Sequence, residues 1–285
     1  KQETPDTKEA LETLPVLKLS DLDKQNKTIP IETSTLQGAD LLYHDLFTNG
    51  ILYLDLAFDL HALPKELLPL AGIFARALFE MGTATEAYVK LSQRIGKSTG
   101  GVHASTDAMS IRGSKGSVAK FSVRGKATVG HASDLLDIVK DVLLTVNLDN
   151  RERLKQIVLE EKSGLESALV PSGHAFALSR LNAQLNEAGW IEEQTGGVAY
   201  LFALRELADD IQHKWKSVLK KLEAVRETLI NRNALTVNAT VDNANWKTVQ
   251  PQLEAFLGAL PAKPFQPNDF GFVPAPEKEG LTIPA

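Results

Sequence analysis

Strand-like and helix-like patterns of apolar residues follow one another in a particular order along this 285-residue chain, and that order constrains the fold more than any other feature. Strand-like apolar runs occupy residues 40–60, 98–111 and 117–128, whereas apolar residues recur every three or four positions from 131 to 231. A short alternating segment, Leu235–Val241, precedes the last helical segment. This order is typical of an α+β fold in which helices cover one face of an antiparallel sheet. It is not a repeated βαβ unit, so a doubly wound nucleotide-binding fold is disfavoured.

The first two strand-like runs are predicted to form a β-hairpin. Asp40–Phe47 and Ile51–Leu60 are separated by only Thr48, Asn49 and Gly50. Asn-Gly between two such runs is a strong hairpin signal, because both residues tolerate positive φ.

Helical spacing predicts the remaining elements. One helix is expected between Pro64, which suits a first turn, and Gly82, which closes the run. The longest is predicted from about Val198 to Asn231, as a single helix packed on the sheet. Further helices are predicted over 131–146, 150–169, 173–188 and 245–260.

Three parts of the chain differ in character. Residues 1–28 are polar and are predicted to be an arm or linker. Residues 29–260 carry the periodic segments and form the predicted domain. Residues 261–285 contain six prolines and little periodicity, which is typical of a linker. Its apolar end, Leu281-Thr-Ile-Pro-Ala, predicts a strand that leads towards a following domain.

Composition argues against several classes of function. Thirty-one Lys and Arg face 36 Asp and Glu, and the net charge of −5 argues against a nucleic-acid partner. The absence of cysteine excludes disulfides, thiol nucleophiles, iron–sulfur clusters and cysteine-based zinc sites. No run of 18 apolar residues occurs, so no transmembrane helix is predicted, and the N-terminus lacks the apolar stretch of a signal peptide.

The six histidines do not form a recognisable metal motif. A helical zinc site needs two histidines four residues apart with a nearby carboxylate, and no two histidines have that spacing here. A zinc site assembled from distant histidines stays open as a minor alternative. The histidines are His44, His61, His103, His131, His174 and His213.

Other short motifs have simple structural interpretations. Ser172-Gly173-His174 resembles a nucleophile and base, but Ser172 before a helix is better interpreted as an N-cap. Thr99-Gly100-Gly101 and Thr195-Gly196-Gly197 fit no phosphate-binding motif, and they are interpreted as a strand bend and a helix start. The widely spaced Trp190, Trp215 and Trp246 are interpreted as packing residues. The residues alone therefore indicate an α+β domain for packing or binding.

Eight stretches spread over nearly the whole chain together carry a resemblance. They are Thr4-Pro-Asp, Leu14-Pro-Val-Leu-Lys-Leu-Ser-Asp-Leu, Phe47-Thr-Asn-Gly-Ile-Leu-Tyr, Leu63-Pro-Lys-Glu-Leu-Leu-Pro, Met81-Gly-Thr, Thr99-Gly-Gly-Val-His-Ala-Ser, Asn231-Arg-Asn-Ala-Leu-Thr-Val-Asn and Glu279-Gly-Leu-Thr-Ile-Pro-Ala. With these stretches the chain resembles the pitrilysin-type zinc metallopeptidases, and in particular the subfamily of presequence protease and falcilysin. The likeness points to the linker end and third, non-catalytic domain of those proteins.

The resemblance implies that a catalytic motif has been lost. In the family's active domain, H-x-x-E-H on a helix supplies two zinc ligands and the general base, and a later glutamate is the third ligand. Counting back from Gly82 without gaps places Ile73, Arg76 and Ala77 in the three functional positions of that motif. None of these side chains ligates zinc or accepts a proton from water. The resemblance therefore implies no catalytic and no metal-binding residue in this chain.

The resemblance also implies a role for the segment. Two halves of such a protein close like a clamshell around a chamber, and this chain is expected to form part of the chamber wall. The expected parent is a zinc metalloendopeptidase that degrades unstructured peptides, such as cleaved targeting presequences, with zinc bound outside this chain. The expected partners are the N-terminal catalytic half and the peptide substrates, with no nucleic acid and no membrane. The expected location is soluble and intracellular: the cytoplasm in bacteria, the mitochondrial matrix or chloroplast stroma in eukaryotes.

Two alternatives remain open at the level of the sequence. The same fold serves as a non-peptidase structural or interaction subunit in larger complexes, and then the gene would encode no H-x-x-E-H. An independent hydrolase built around Ser172 is the second, and it predicts that replacing Ser172 abolishes activity.

Overall fold

The computed structural model describes residues 5–114, 116–275, 277–280 and 282. Residues 1–30 and 31–285 are two separate compact units. The first unit holds a short helix, α1 (Lys8–Glu12), whose N-cap Thr7 accepts a hydrogen bond from the Ala10 amide at 3.3 Å. The predicted C-terminal strand at Leu281 falls mostly outside the described residues.

Within the described residues of the second unit, six strands form one sheet in the order β1-β2-β6-β3-β5-β4. All neighbours are antiparallel except β2 and β6, which run parallel. The α+β class is confirmed, whereas the expectation of a purely antiparallel sheet fails at this one pair. The strands are β1 (Glu32–Leu36), β2 (Ala39–His44), β3 (Ile51–Asp59), β4 (Val102–Ser110), β5 (Ser117–Thr128) and β6 (Leu235–Thr240).

The predicted hairpin between β2 and β3 is wrong, although its turn is present. Asn49 and Gly50 adopt positive φ values of 54° and 73°, as the sequence suggested. The two strands nevertheless do not pair, because β6 lies between them and bonds to both. β2 instead forms a hairpin with β1 through Gln37 and Gly38, which have φ values of 52° and 85°.

The helices follow the predicted pattern with three differences. The long helix breaks at Lys214, whose φ of −135° and ψ of 38° separate α8 from α9. The helix predicted to end at 188 divides at the extended residue Asn186 into α6 and α7. α3 was not predicted, because only Leu91 of its residues is buried. The helices are α2 (Leu70–Glu80), α3 (Tyr88–Ser98), α4 (Ala132–Thr145), α5 (Arg151–Ala168), α6 (Gly173–Leu185), α7 (Glu187–Gly196), α8 (Val198–His213), α9 (Trp215–Leu229) and α10 (Asn243–Ala259).

The core lies between one face of the sheet and the helices. Alternate residues of β3, from Leu52 to Phe58, are at most 2% exposed, whereas the intervening Tyr53 remains 44% exposed. Phe74 of α2 packs on Phe121 of β5 with ring centroids 5.7 Å apart. α2 therefore lies in the middle of the core. No helix in the described part of the chain is long and apolar enough to cross a membrane.

Gly82 tests how tightly the end of α2 is fixed. It has a φ of +80°, and a Cβ there would lie 2.7 Å from the Glu86 carbonyl oxygen and 2.8 Å from the Tyr88 nitrogen. We expect Gly82→Ala to lower the free energy of unfolding by more than about 2 kcal/mol, because left-handed strain and overlap with rigid backbone add together. Urea denaturation measures the change.

Gly113→Ala is the matched control for that substitution. Gly113 has a similar φ of +77°, but a Cβ there meets nothing within 4 Å. It should cost only about 1–2 kcal/mol, which is the backbone strain alone. Equal losses at the two positions would contradict the tight packing described at Gly82.

Candidate functional site

The motif position predicted on α2 lies inside the core. Ile73 and Ala77 are fully buried. On the same helix Gly72 packs so closely that a Cβ would lie 2.9 Å from both the Thr195 carbonyl oxygen and the Tyr200 hydroxyl. Since apolar side chains and neighbouring helices fill this space, the two positions contribute packing and no polar chemistry.

Arg76, the third motif position, is the centre of an ion cluster. Its Nε lies 2.8 Å from Oε1 of Glu80, one turn further along α2. Its two terminal nitrogens lie 2.9 Å from Glu160 and 2.9 Å from Glu161, both on α5. Arg153 of α5 also donates to Glu80, to the carboxylate at 3.1 Å and to the backbone carbonyl at 2.9 Å. The cluster therefore ties α2 to α5.

The electrostatics of the cluster leave Arg76 permanently charged. Partial burial acts to lower the pKa of Arg76, but hydrogen bonds to Glu80, Glu160 and Glu161 outweigh it and raise the pKa above its ordinary value. A guanidinium that stays protonated cannot act as a general base. Its donors are already engaged by carboxylates, so the arrangement is suited to holding two helices together.

The residues present do not fit a zinc ion at this position. Isoleucine and alanine offer no ligand atom, and arginine is a cation that repels one. In the described ranges, no three His, Asp or Glu side chains come together in a way that could hold a metal ion.

The histidines are dispersed over the fold. His61 bonds to Asp59 at 2.9 Å, His131 to Asp134 at 2.6 Å, and His213 approaches Asp209 at 3.1 Å. His44 lies in β2 and His103 in β4, while His174 lies exposed in the first turn of α6.

Ser172 is at the N-cap position of α6, as predicted, but its side chain makes no capping hydrogen bond. Its backbone carbonyl accepts from the amides of Ala175 and Phe176, at 2.9 and 3.3 Å. The capping interpretation is therefore correct in position and wrong in mechanism.

The two glycine pairs have structural roles. The Gly100 amide donates to the Lys126 carbonyl at 2.7 Å, where β4 begins beside β5. Gly197 precedes α8 at its N-cap position, so α8 starts at the predicted place and has no side-chain cap of its own.

A buried carboxylate, which sequence analysis did not identify, supplies the missing cap of α8. The side chain of Glu193 is 1% exposed and accepts from the Ala199 amide at 3.0 Å. It also accepts from Ser179 Oγ at 2.6 Å and from Arg180 at 3.3 Å. A Cβ at Gly197 would overlap this carboxylate, so a larger residue there would require the Glu193 side chain to move. One buried charge therefore joins α6, α7 and α8.

The proline-rich segment 261–280, of which the structure describes all residues except 276, contacts the domain at several points and is called the strap below. Phe270 is 3% exposed and stacks on His61 with centroids 5.0 Å apart. On its other side it meets Trp190 at 5.7 Å, and Lys65 donates to its carbonyl at 3.2 Å. The amide side chain of Asn268 donates to the carbonyls of three successive residues, 61 to 63.

Charged groups surround the histidine that holds the strap. The hydrogen bond to Asp59 raises the pKa of His61; burial opposes this, and the charges of Asp59 and Glu187 support it. Burial acts to raise the pKa of Asp59, but the bond from His61 and the charge of Lys120 lower it on balance. Glu187 Oε2 lies 3.8 Å from His61 Nε2.

The tryptophans are packing residues, as predicted from sequence. Trp246 is 8% exposed and stacks on Tyr43 at 4.5 Å. Trp190 supports the strap, and Trp215 donates through its indole nitrogen to Asp149 at 3.0 Å.

Comparison with known proteins gives consistent matches. The family described as Peptidase M-16C associated matches residues 1–207. The relative named Presequence protease 1, chloroplastic/mitochondrial, from Arabidopsis thaliana is 39% identical over 264 residues, which cover 93% of this chain and 24% of that protein. Protein HypA from Clostridium perfringens is 26% identical over 282 residues, or 99% of this chain and 29% of that protein. The chain therefore spans 24% to 29% of the length of these two relatives.

A solved structure shares the fold. A protease from Helicobacter pylori has a TM-score of 0.58 and 13% sequence identity, over 86% of this chain and 54% of that one. At this identity the likeness concerns the architecture alone.

Arg76→Met tests the role of the ion cluster. It leaves three carboxylates on α2 and α5 without their shared cation. We expect the free energy of unfolding to fall by about 1–3 kcal/mol, measured by chemical denaturation. Arg205→Met is the control. It removes the more exposed ion pair between Arg205 and Glu166, and it should lower the free energy of unfolding by less than about 1 kcal/mol. A smaller loss for Arg76 than for Arg205 would contradict the cluster's structural role.

His61→Gln tests the pH dependence of the strap contact. Because the pKa of His61 is raised in the folded state, protonated His61 stabilises the fold. This stabilisation is fully present below the pKa that His61 has in the unfolded chain. It is lost as the pH rises through the pKa of His61 in the folded state. The stability difference between wild type and variant should therefore be larger at about pH 5.5 than at about pH 8. Urea denaturation at both pH values measures it.

His213→Gln, at an exposed position, is the control for the general change of histidine charge with pH. The contrary result is a difference in the free energy of unfolding, between wild type and His61→Gln, that is the same at both pH values. It would show that the charge of His61 does not affect the stability of the fold.

Proposed function

This chain belongs to the peptidase-associated family whose model it matches, and from that premise we propose that it is the non-catalytic part of a larger zinc metalloendopeptidase. The observation that carries the proposal is the state of the motif position on α2. Ile73 and Ala77 are core residues, and Arg76 is engaged by three carboxylates. A segment with this constitution contributes structure to a peptidase, and the hydrolytic chemistry belongs to another part of it.

The zinc ion is proposed to lie outside this chain, in an N-terminal catalytic half of the same protein. The relatives support this division, because each is about three to four times as long as the stretch it shares with this chain. The name of the Arabidopsis relative further supports a peptidase as the parent.

The segment is proposed to form part of the wall of a chamber that closes like a clamshell around unstructured peptides, such as cleaved targeting presequences. A sheet with one face buried under helices and the other face open is compatible with a wall. Selection would then act through the size of the chamber, which admits flexible peptides and excludes folded proteins. In a eukaryote the location is proposed to be an organelle, as the Arabidopsis relative's name indicates for that protein. In a bacterium it is proposed to be the cytoplasm.

Peptide cleavage separates this proposal from its rivals. A quenched, unstructured peptide of about 20 residues is incubated with the 285-residue chain and with the full-length protein that contains it. We expect no cleavage by the chain alone and cleavage by the full-length protein that a chelator abolishes, because only the longer protein would hold zinc. A full-length protein without peptidase activity would favour a structural subunit of the same fold.

Metal content and one substitution serve as controls. After dialysis, the chain alone should retain well under one zinc per molecule, since isoleucine, arginine and alanine replace the ligands and the base. Ser172→Ala in the full-length protein should leave cleavage unchanged. Activity of the chain alone that disappears in Ser172→Ala would replace this proposal with a serine hydrolase.

A further inference from the structure

Residues 264–274 of the strap, called the latch below, have no regular secondary structure and lie between two fixed points. Just before them, the Asn233 side chain donates to the Lys263 carbonyl at 2.8 Å. Just after them, the Ala275 amide donates to the Gln184 carbonyl at 3.3 Å. A segment that is held at both ends can leave the surface between them while its flanks stay in place.

Two side chains hold the latch against the domain. Among the strap residues that the structure describes, Phe270 alone is buried, whereas Val273 is 74% exposed. Asn268 donates through its backbone amide to the His61 carbonyl at 2.8 Å, and its side chain bonds to the carbonyls of residues 61–63. A segment with one buried side chain and a few hydrogen bonds is of the kind that opens locally while the rest of the fold stays intact.

The Phe270 ring lies against two other rings. It stacks on His61 with centroids 5.0 Å apart and planes inclined by 19°. It meets Trp190 at 5.7 Å and 47°. Lys65 donates to the Phe270 carbonyl at 3.2 Å and lies 4.8 Å from the centroid of the Trp190 ring. The face of the phenyl ring is therefore nearly parallel to the imidazole, and any charge on the imidazole acts directly on that face.

Protonation changes one side of the His61 ring. Asp59 Oδ1 lies 2.9 Å from Nδ1 and accepts its proton whether the ring is neutral or charged. The second proton adds to Nε2, which lies 3.8 Å from Oε2 of Glu187. A neutral imidazole only stacks on Phe270, whereas a cation within about 6 Å of an aromatic centroid is also attracted to the face of that ring. The contact between His61 and the latch is therefore stronger when His61 is protonated.

The other charged groups around His61 favour that proton on balance. The hydrogen bond to Asp59 raises the pKa of His61; burial opposes this, the charges of Asp59 and Glu187 support it, and the charge of Lys120 on β5 opposes it. Lys120 is itself paired with Asp59 at 3.2 Å. Asp269, the acidic residue of the latch, accepts from a backbone amide of the strap at 2.8 Å. Two carboxylates of the domain thus keep the imidazolium paired while the latch covers it.

We propose that residues 264–274 are a pH-controlled latch, which closes on the domain when His61 is protonated and opens, with the sheet and helices intact, as the pH rises. Opening frees the chain between Lys263 and Ala275 and uncovers the rings of His61 and Trp190. Protonation and closure favour each other, so the closed latch must hold the proton of His61 more tightly than the open latch does. The latch depends on contacts within this chain and goes beyond the proposed function.

The pKa of His61 measures this coupling. Deuterium exchange at the C2 carbon of the imidazole, followed against pH by mass spectrometry of peptides, reports that pKa in the full-length protein that contains this chain. Phe270→Leu keeps an apolar side chain over the imidazole and removes the aromatic face. We expect the variant to lower the pKa of His61 by about 0.3–0.7, which is the two- to fivefold change in proton affinity that one cation–π contact supports.

Val273→Ala is the matched control, because Val273 lies in the latch but is 74% exposed. It should leave the pKa of His61 unchanged. A pKa of His61 that is unchanged or higher in Phe270→Leu overturns the proposal, because the phenyl ring would then act on the imidazole through burial alone.

Hydrogen exchange of the Asn268 amide measures the opening of the latch, since this amide bonds to the His61 carbonyl in the closed state. Wild type and His61→Gln are compared at the same pH, so the intrinsic exchange rate of the amide cancels. The variant loses the ring stack at every pH and the cation only where His61 is protonated. The acceleration of exchange should therefore be about two- to fivefold greater at about pH 5.5 than at about pH 8. An equal acceleration at both pH values overturns the proposal.

Exchange of the amides of β3 distinguishes opening of the latch from unfolding of the whole domain. In the wild-type protein, the protection of the Asn268 amide should be at least about tenfold lower than that of the β3 amides, as for a local opening. If the protection of Asn268 equals that of β3 at both pH values, the latch opens only when the domain unfolds, and the proposal is overturned.

Discussion

The pairing of β6 with two strands from the start of the domain is the constraint on which the rest of the fold depends. β6 lies between β2 and β3, and its residues Val237 and Ala239 are fully buried. Leu56 pairs with Val237, so one ladder joins positions 181 residues apart (237 − 56). The entropic cost of such a closure rises only slowly with length, whereas the folding rate falls as contacts become less local. The helices α2 to α9, which lie between β3 and β6 in the chain, must therefore be accommodated in the loop that this pairing closes.

That arrangement places α2 at the centre of the core and leaves one side of it facing α5. The buried side carries Ile73 and Ala77, and the side facing α5 carries Arg76. The guanidinium of Arg76 pairs with carboxylates from both helices, and that of Arg153 adds a second pair to Glu80, so the carboxylates do not repel one another. The three positions therefore serve packing and ion pairing.

Buried polar groups outside the core determine how the C-terminal part of the chain runs. Glu193 joins α6, α7 and α8, and Arg180 links this carboxylate to Glu279 of the strap. His61 and Asn268 hold the strap at an earlier point. The strap is therefore part of the domain in contacts, although its composition is that of a linker.

The sequence by itself determined most of the local structure. Periodicity located most helices and strands, since it reports which face of each element is buried. The Asn49-Gly50 turn was also predicted correctly, because positive φ is a local property. The resemblance to a peptidase family predicts that Arg76 occupies the position of a lost motif, and this stays a prediction.

The tertiary structure decided those features that depend on contacts between residues far apart in the sequence. It placed β6 between β2 and β3, because strand pairing is set by contacts across nearly two hundred residues and not by the turn that joins neighbours. It gave Arg76 its three carboxylates, and it buried Glu193 and Phe270, whose sequence surroundings resemble exposed segments. The local sequence pattern specifies which face of each helix or strand is apolar. Only tertiary packing specifies which other element covers that face.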